Sequence, residues 1–314
     1  MSAASVFVAL SPCAALSQSR ADSVLEAGAL AEAESIYYAA VRLHPRDPAA
    51  RRALGTYLVE RGAPRVGMTL FEEAQRFGAE PRMVSRLLAP VYLLLGEYHL
   101  LAALPTPPVA RREHERARWL ESHPTAIVTP DSTLMATYRE TPGPGSLGHI
   151  TIRINGRPVE ANISVRARGI TVSDKSLAAR NVRRFAAPPA DADSGTAVLG
   201  VADSVGIGRL AVVNFPVSLQ ALAENEQAVI GVDVLGRFAP TFDPHTSRVT
   251  LHTSGRVDDR LKSASGLATR LTSNDLLVLQ GGRWVSAAQP QITRILSARR
   301  WTLDAKRGQI IVEQ

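Results

Sequence analysis

A chain of 314 residues, 45% hydrophobic and 21% charged, has enough apolar material for buried cores and exceeds one ordinary domain, which excludes a disordered or fibrous protein. The formal charge of +7 and a pI near 10.0 raise the question of an anionic partner, yet the arginines are scattered and the tight basic clusters are pairs such as Arg111-Arg112, Arg183-Arg184 and Arg299-Arg300. Lysine occurs only at Lys175, Lys262 and Lys306 and aromatics are 5% of the chain, so no basic stripe with interleaved rings forms and nucleic acid is not an expected partner.

The first element in chain order is the small and apolar run "SVFVALSPCAALSQS", which ends in Ala15-Leu16-Ser17. It reads as a secretory leader over residues 1–17 with cleavage after Ser17, although a basic n-region is missing, and it implies export to the periplasm or cell envelope. Cys13 is the single cysteine; Pro12 before it fits a lipid anchor poorly. The alternative is an apolar N-terminal helix. No other run reaches the ~18 apolar residues of a membrane span.

Residues 22–104 have helical periodicity, with Pro and Gly marking the loops. Ala33, Tyr37, Ala40 and Pro45 recur at a constant offset of about 34 residues as Gly67, Phe71, Ala74 and Ala79, and Leu54, Gly55 and Leu58 recur as Leu88, Ala89 and Tyr92. This spacing resembles tetratricopeptide repeats, whose small residues let paired helices approach and whose concave face takes peptides or partner helices. The alternative is a set of unrelated Ala- and Leu-rich hairpins. The Pro-rich break and charged helix of residues 105–123 read as a linker.

Beyond it the period changes from 3.6 to 2. "GHITIRI", "AVLGVADSVGIG", "RLAVVNFPVSL", "QAVIGVDVL" and "FAPTFDPHTSRVTLH" are short strands of a mostly antiparallel β domain over residues 124–253. Residues 254–314 form a C-terminal α/β extension that opens on an expected polar helix, "RVDDRLKSASGLATRL". Its closing "WTLDAKRGQIIVE" echoes the earlier hairpin, with Thr302, Asp304 and Ile310 at the spacing of Thr241, Asp243 and Val249.

Several chemistries lack their residues. Gly143, Gly145 and Gly148 spell G-x-G-x-x-G but run through Pro142 and Pro144 into a strand, whereas a dinucleotide loop leaves a strand and opens a helix. The seven histidines, from His44 to His252, have no zinc-ligand spacing, and no Ser lies in a G-x-S-x-G elbow. Neither metal nor cofactor is expected.

The β domain resembles the retropepsin-like aspartic proteases. In that family an Asn-Gly turn leads into a strand ending in Asp-Thr/Ser-Gly-Ala/Ser, and an apolar-apolar-Gly run later precedes an Arg-Phe pair and an Asp-centred hairpin. Here Asn155-Gly156, Asn214-Phe215-Pro216-Val217, Ile230-Gly231, Val234-Leu235-Gly236-Arg237-Phe238 and Asp243 through Leu251 occupy those places in order. The resemblance implies an α+β multidomain chain: tetratricopeptide-like helices, an all-β acid-protease barrel, and the extension. It also implies that the catalytic Asp, Thr and Gly fall on Ser164, Val165 and Arg166, with Ala167 and Gly169 retained. The backbone of the active-site turn is expected and its carboxylate is not. Asp193-Ser194-Gly195-Thr196 is a literal copy of the motif, but it follows "AAPPADA", a loop at the position of the family's flap. If "ISVRARG" continues as a strand, Ser164, Arg166 and Arg168 share a face. The two guanidiniums would then favour anionic peptides or a C-terminal carboxylate, or would line a merely solvated face.

The leading expectation is an exported, catalytically inactive protein that binds a peptide or protein, with a homodimer left open because such domains pair to complete a cleft. The alternatives are an active aspartic endopeptidase, dimeric or using Asp193, and an envelope adaptor acting through its helical repeats.

Overall fold

Helix starts in the first part of the chain are written by proline and an acid. The computed structural model describes residues 12–105, 108–129, 133–139, 145–185, 197–257, 261 and 266–313. Its helices run α1 Pro12–Glu26, α2 Leu30–Leu43, α3 Pro48–Glu60, α4 Pro64–Arg76 and α5 Pro81–Leu95. Pro48, Pro64 and Pro81 sit in the first turn, where a missing N–H costs nothing. The carboxylates of Asp47 and Glu80 accept N–H groups of the first turns of α3 and α5, and left-handed Gly96 ends α5.

Successive helices pack as antiparallel pairs. The small positions picked out by the recurring offset are where backbones come closest: a Cβ at Gly67 would lie 2.4 Å from Val59 Cγ2 and 2.7 Å from Gly55 O, and one at Gly55 would lie 2.7 Å from Phe71 Cε1. Ala33, Tyr37, Leu54, Phe71, Ala74 and Leu88 are all buried. Tyrosines reach acids on neighbouring helices, Tyr57 to Glu34 and Tyr92 to Glu72, both at 3.0 Å. Helices up to Glu97, with residues Gln280–Trp284, make one compact unit; Tyr98–Leu279 and the residues from Val285 onward make the other. The division falls before the Pro-rich segment, so α6 Tyr98–Ala103 and α7 Pro108–Ser122 belong to the second unit. There Arg116 of α7 is buried, clamped by Glu113 and donating to Val217 O at 3.2 Å, while Tyr98 meets Thr125 at 2.5 Å.

Beyond the helices the strands are β1 Ala126–Ile127, β2 Thr133–Arg139, β3 Ser146–Ile154, β4 Arg157–Ser164, β5 Ile170–Ser173, β6 Arg183–Phe185, β7 Val198–Ile207, β8 Leu210–Gln220 and β9 Ala228–Gly231. After the short helix α8 Val232–Leu235 come β10 Thr241–Asp243, β11 Arg248–His252, β12 Leu267–Leu271, β13 Leu276–Gln280, β14 Arg283–Ser286, helix α9 Pro290–Ser297, β15 Trp301–Asp304 and β16 Gln309–Val312. Pairing runs β3-β4-β9-β5-β8-β7 and returns to β3, which closes a β-barrel. Its interior is filled by the alternate residues Ile150, Ile152, Ile154, Ala161, Ile163, Ile170, Val172 and Ile230. Around this circuit β4–β9 and β5–β8 are parallel pairs, while β3–β4, β9–β5, β8–β7 and β7–β3 are antiparallel.

From β3 an arm of sheet leaves the barrel in the order β2-β11-β10-β15-β16-β12-β13-β14. The polar helix expected over 256–271 is therefore corrected: Leu267–Leu271 is a strand. Pairing with β16 and β13 buries Thr269 and Arg270, and this tertiary pairing overrides the helical pattern of the isolated segment.

Candidate active-site turn

β4 and β5 flank β9 on opposite sides, parallel and antiparallel, with Ser164 opposite Gly231 and Ile170 opposite Ile230. The segment 165–169 must therefore cross over the end of β9. β4 does not continue through Arg168: the strand ends at Ser164, whose Oγ accepts the backbone N–H groups of Arg166 at 3.1 Å and Ala167 at 3.0 Å. A side-chain acceptor that captures two consecutive N–H groups competes with the ladder and bends the chain. Val165 points into the core and its N–H donates to Gly145 O at 3.0 Å.

The two arginines consequently take different surroundings. Arg166 is exposed, and its guanidinium has no partner among the described residues. Arg168 is half-buried, and its guanidinium donates to Val165 O, Ala167 O, Thr272 O and Asp275 O. The shared cationic face of Ser164, Arg166 and Arg168 does not form, because Arg168 directs its donors at carbonyls of the turn and of the β12–β13 loop. Burial pulls the Arg168 pKa down, opposed by Asp233 and Asp275.

The carboxylate that reaches the turn comes from α8. Both oxygens of Asp233 accept the N–H of Gly169 at 3.1 Å, and Gly169 O accepts the N–H of Gly231 at 2.8 Å. Gly169 has φ +69, a left-handed conformation that suits glycine. Gly231 is required for a different reason: a Cβ there would lie 2.2 Å from Asp233 Oδ1 and 2.5 Å from Ala167 O. Arg237, just past α8, is pulled down in pKa by burial, against the raising charges of Asp233 and Tyr98. Asp233 thus answers two cations while bracing the turn.

Aspartic proteolysis needs two carboxylates close enough to share a proton. The described turn, Ser164 to Gly169, has none of its own, and Asp193 lies outside the described residues. Among the described residues no cluster of His, Cys, Asp or Glu could hold a metal ion. The sequence pattern singled out none of Asp233, Thr272 and Asp275 as a partner of the turn. An acid placed in the first turn of a helix that follows a Gly-ended strand is the available signal for Asp233.

No protein-family model matches the chain, and no match is found among curated proteins. Among solved structures, the crystal structure of a retropepsin-like aspartic protease from Rickettsia conorii aligns with a TM-score of 0.27 and 15% identity, over 40% of this chain and 92% of that one. At that score the likeness decides nothing by itself.

Proposed function

We propose that the barrel is a retropepsin-like domain that has lost peptidase chemistry and serves as a peptide- or protein-binding module, preceded by tetratricopeptide-like helices on an exported chain. One observation carries the reading: at the position where the resemblance puts the catalytic Asp, Ser164 offers a hydroxyl already engaged by two backbone N–H groups. A hydroxyl cannot hold the shared proton of a carboxylate dyad, and its lone pairs here face the turn and not a substrate. Arg166, exposed beside it, favours a ligand with an anionic end through a charge-assisted hydrogen bond. The leader reading of residues 1–17 belongs to this proposal, and intact Met1 in a cytoplasmic fraction would refute it.

Peptidase assays from acid to neutral pH on wild type, Ser164→Asp and Asp193→Ala test the chemistry. The expected result is no cleavage by any of the three, since Ser164→Asp restores one carboxylate while Val165 and Arg166 keep the rest of the motif altered. Pepstatin-sensitive cleavage by wild type that disappears in Asp193→Ala would overturn the proposal in favour of an active peptidase using the Asp193-Ser194-Gly195-Thr196 motif.

A further inference from the structure

Thr241 and Thr302 stand opposite each other in the antiparallel β10–β15 pair, buried, with their hydroxyl oxygens 2.7 Å apart. They are also the same position of two hairpins. In β10–β11, Thr241 pairs with Thr250 and Asp243 with Arg248; in β15–β16, Thr302 pairs with Ile311 and Asp304 with Gln309. The turns share two hydrogen bonds: Asp243 Oδ1 accepts Thr246 N–H and Asp304 Oδ1 accepts Arg307 N–H, both at 3.1 Å, and Ser247 N donates to Pro244 O as Gly308 N donates to Ala305 O, both at 3.4 Å. Ser247 and Gly308 are both left-handed, with φ +52 and +58.

The correspondence extends outward on both sides. β11 pairs with β2 and β16 with β12; Tyr138 N donates to Ser247 O as Thr269 N donates to Gly308 O. β2 then pairs with β3 as β12 pairs with β13. The next hairpins turn on Asn155-Gly156 and on Gly281-Gly282, each with two consecutive positive φ values, and continue Gly-Arg-Pro-Val and Gly-Arg-Trp-Val. A short helix precedes β10, and another precedes β15. Read from the Thr241–Thr302 seam, the strand order β15-β16-β12-β13-β14 mirrors β10-β11-β2-β3-β4.

We infer that residues 266–313 are a shortened second copy of the barrel's arm, related to it by an approximate twofold axis between Thr241 and Thr302, and that this internal copy occupies the β10 edge a second chain would otherwise use. An open strand edge is a ready template for another chain, and a twofold-related hairpin is the partner whose geometry fits it. The copy is abbreviated where it matters most: β4 leads into the turn at 164–169, β5 and the rest of the barrel before α8, whereas β14 ends at Ser286 and α9 begins at Pro290. The second half therefore has no counterpart of the candidate active-site turn, and its β12–β13 loop instead gives Thr272 O and Asp275 O to Arg168. The inference rests on strand register and stands whether or not the barrel binds peptides.

The test uses the full chain with Cys13→Ser, Thr241→Cys and Thr302→Cys. Leu303 N donates to Pro240 O, so the neighbouring 241/302 pair is of the non-hydrogen-bonded kind, with Cα atoms about 4.5 Å apart and within reach of a disulfide. Mild oxidation is expected to consume both thiols and leave one chain on a non-reducing gel. A disulfide-linked dimer would assign the edge to a second copy and overturn the inference, and so would thiols that stay free in a folded monomer. However well that variant folds, native mass spectrometry of wild type is an independent measurement: the mass of one chain is expected, and a two-chain mass overturns the inference.

Discussion

A hydroxyl and a carboxylate at position 164 are interchangeable as turn acceptors and different as chemistry. Ser164 Oγ satisfies the N–H groups of Arg166 and Ala167, and an aspartate side chain in the same place can accept the same two. Ser164→Ala removes that acceptor. The expected cost is about 1–2 kcal/mol of stability, from two N–H groups left without their partner. Ser164→Asp is expected to lie within about 0.5 kcal/mol of wild type. Chemical denaturation of the three proteins measures this, and an alanine variant as stable as wild type would mean that the hydroxyl does not hold the turn.

At the scale of elements, helix propensity and helix contact pull in opposite directions at Gly67. Replacing glycine by alanine inside a helix normally stabilises by about 0.5–1 kcal/mol. Here the new Cβ would sit 2.7 Å from the Gly55 carbonyl and 2.4 Å from a methyl of branched Val59, so α3 and α4 must separate. Overpacking of this kind costs about 1–3 kcal/mol, which exceeds the propensity gain. Gly67→Ala should therefore lower the thermal midpoint, and a rise would show that the helices have room to spare. The β10–β11 hairpin gives a second element-level expectation. Burial pushes the Asp243 carboxyl up, but hydrogen bonds from the Thr246 side chain and the Thr246 and His245 N–H groups, with the charge of Arg300, outweigh it and hold the pKa below the ordinary 3.8. A depressed carboxylate stabilises the fold in full above the unfolded value and loses that contribution as pH falls through the folded one. Asp243→Asn should accordingly flatten the loss of stability below about pH 4, as read from denaturation curves across pH. An unchanged acid limb would mean that Asp243 has no part in it.

At the scale of the molecule, what local pattern determines was legible and what distant pairing determines was not. Ala33, Gly55, Gly67 and Phe71 could be picked out because a close helix contact demands small and aromatic residues at fixed spacing. β3, β7, β8 and the two hairpins could be picked out because alternation and turn residues mark them. The end of β4 at Ser164 was legible as the expected turn, but what braces that turn was not, because Ser164 acts through its own side chain on N–H groups two and three residues later, which alternation does not register. β12 was missed because a segment with helical spacing is held straight by β16, far along the chain. The echo between "RINGRPV" and "LQGGRWV" lay open in the sequence, but its meaning required the pairing of Thr241 with Thr302. That seam also sets an order of events during synthesis. β10 is complete long before Trp301 leaves the ribosome, so its edge waits uncovered while the barrel behind it can already close. Crowded nascent chains would find that edge first, and β15 and β16, made later, arrive as its protector.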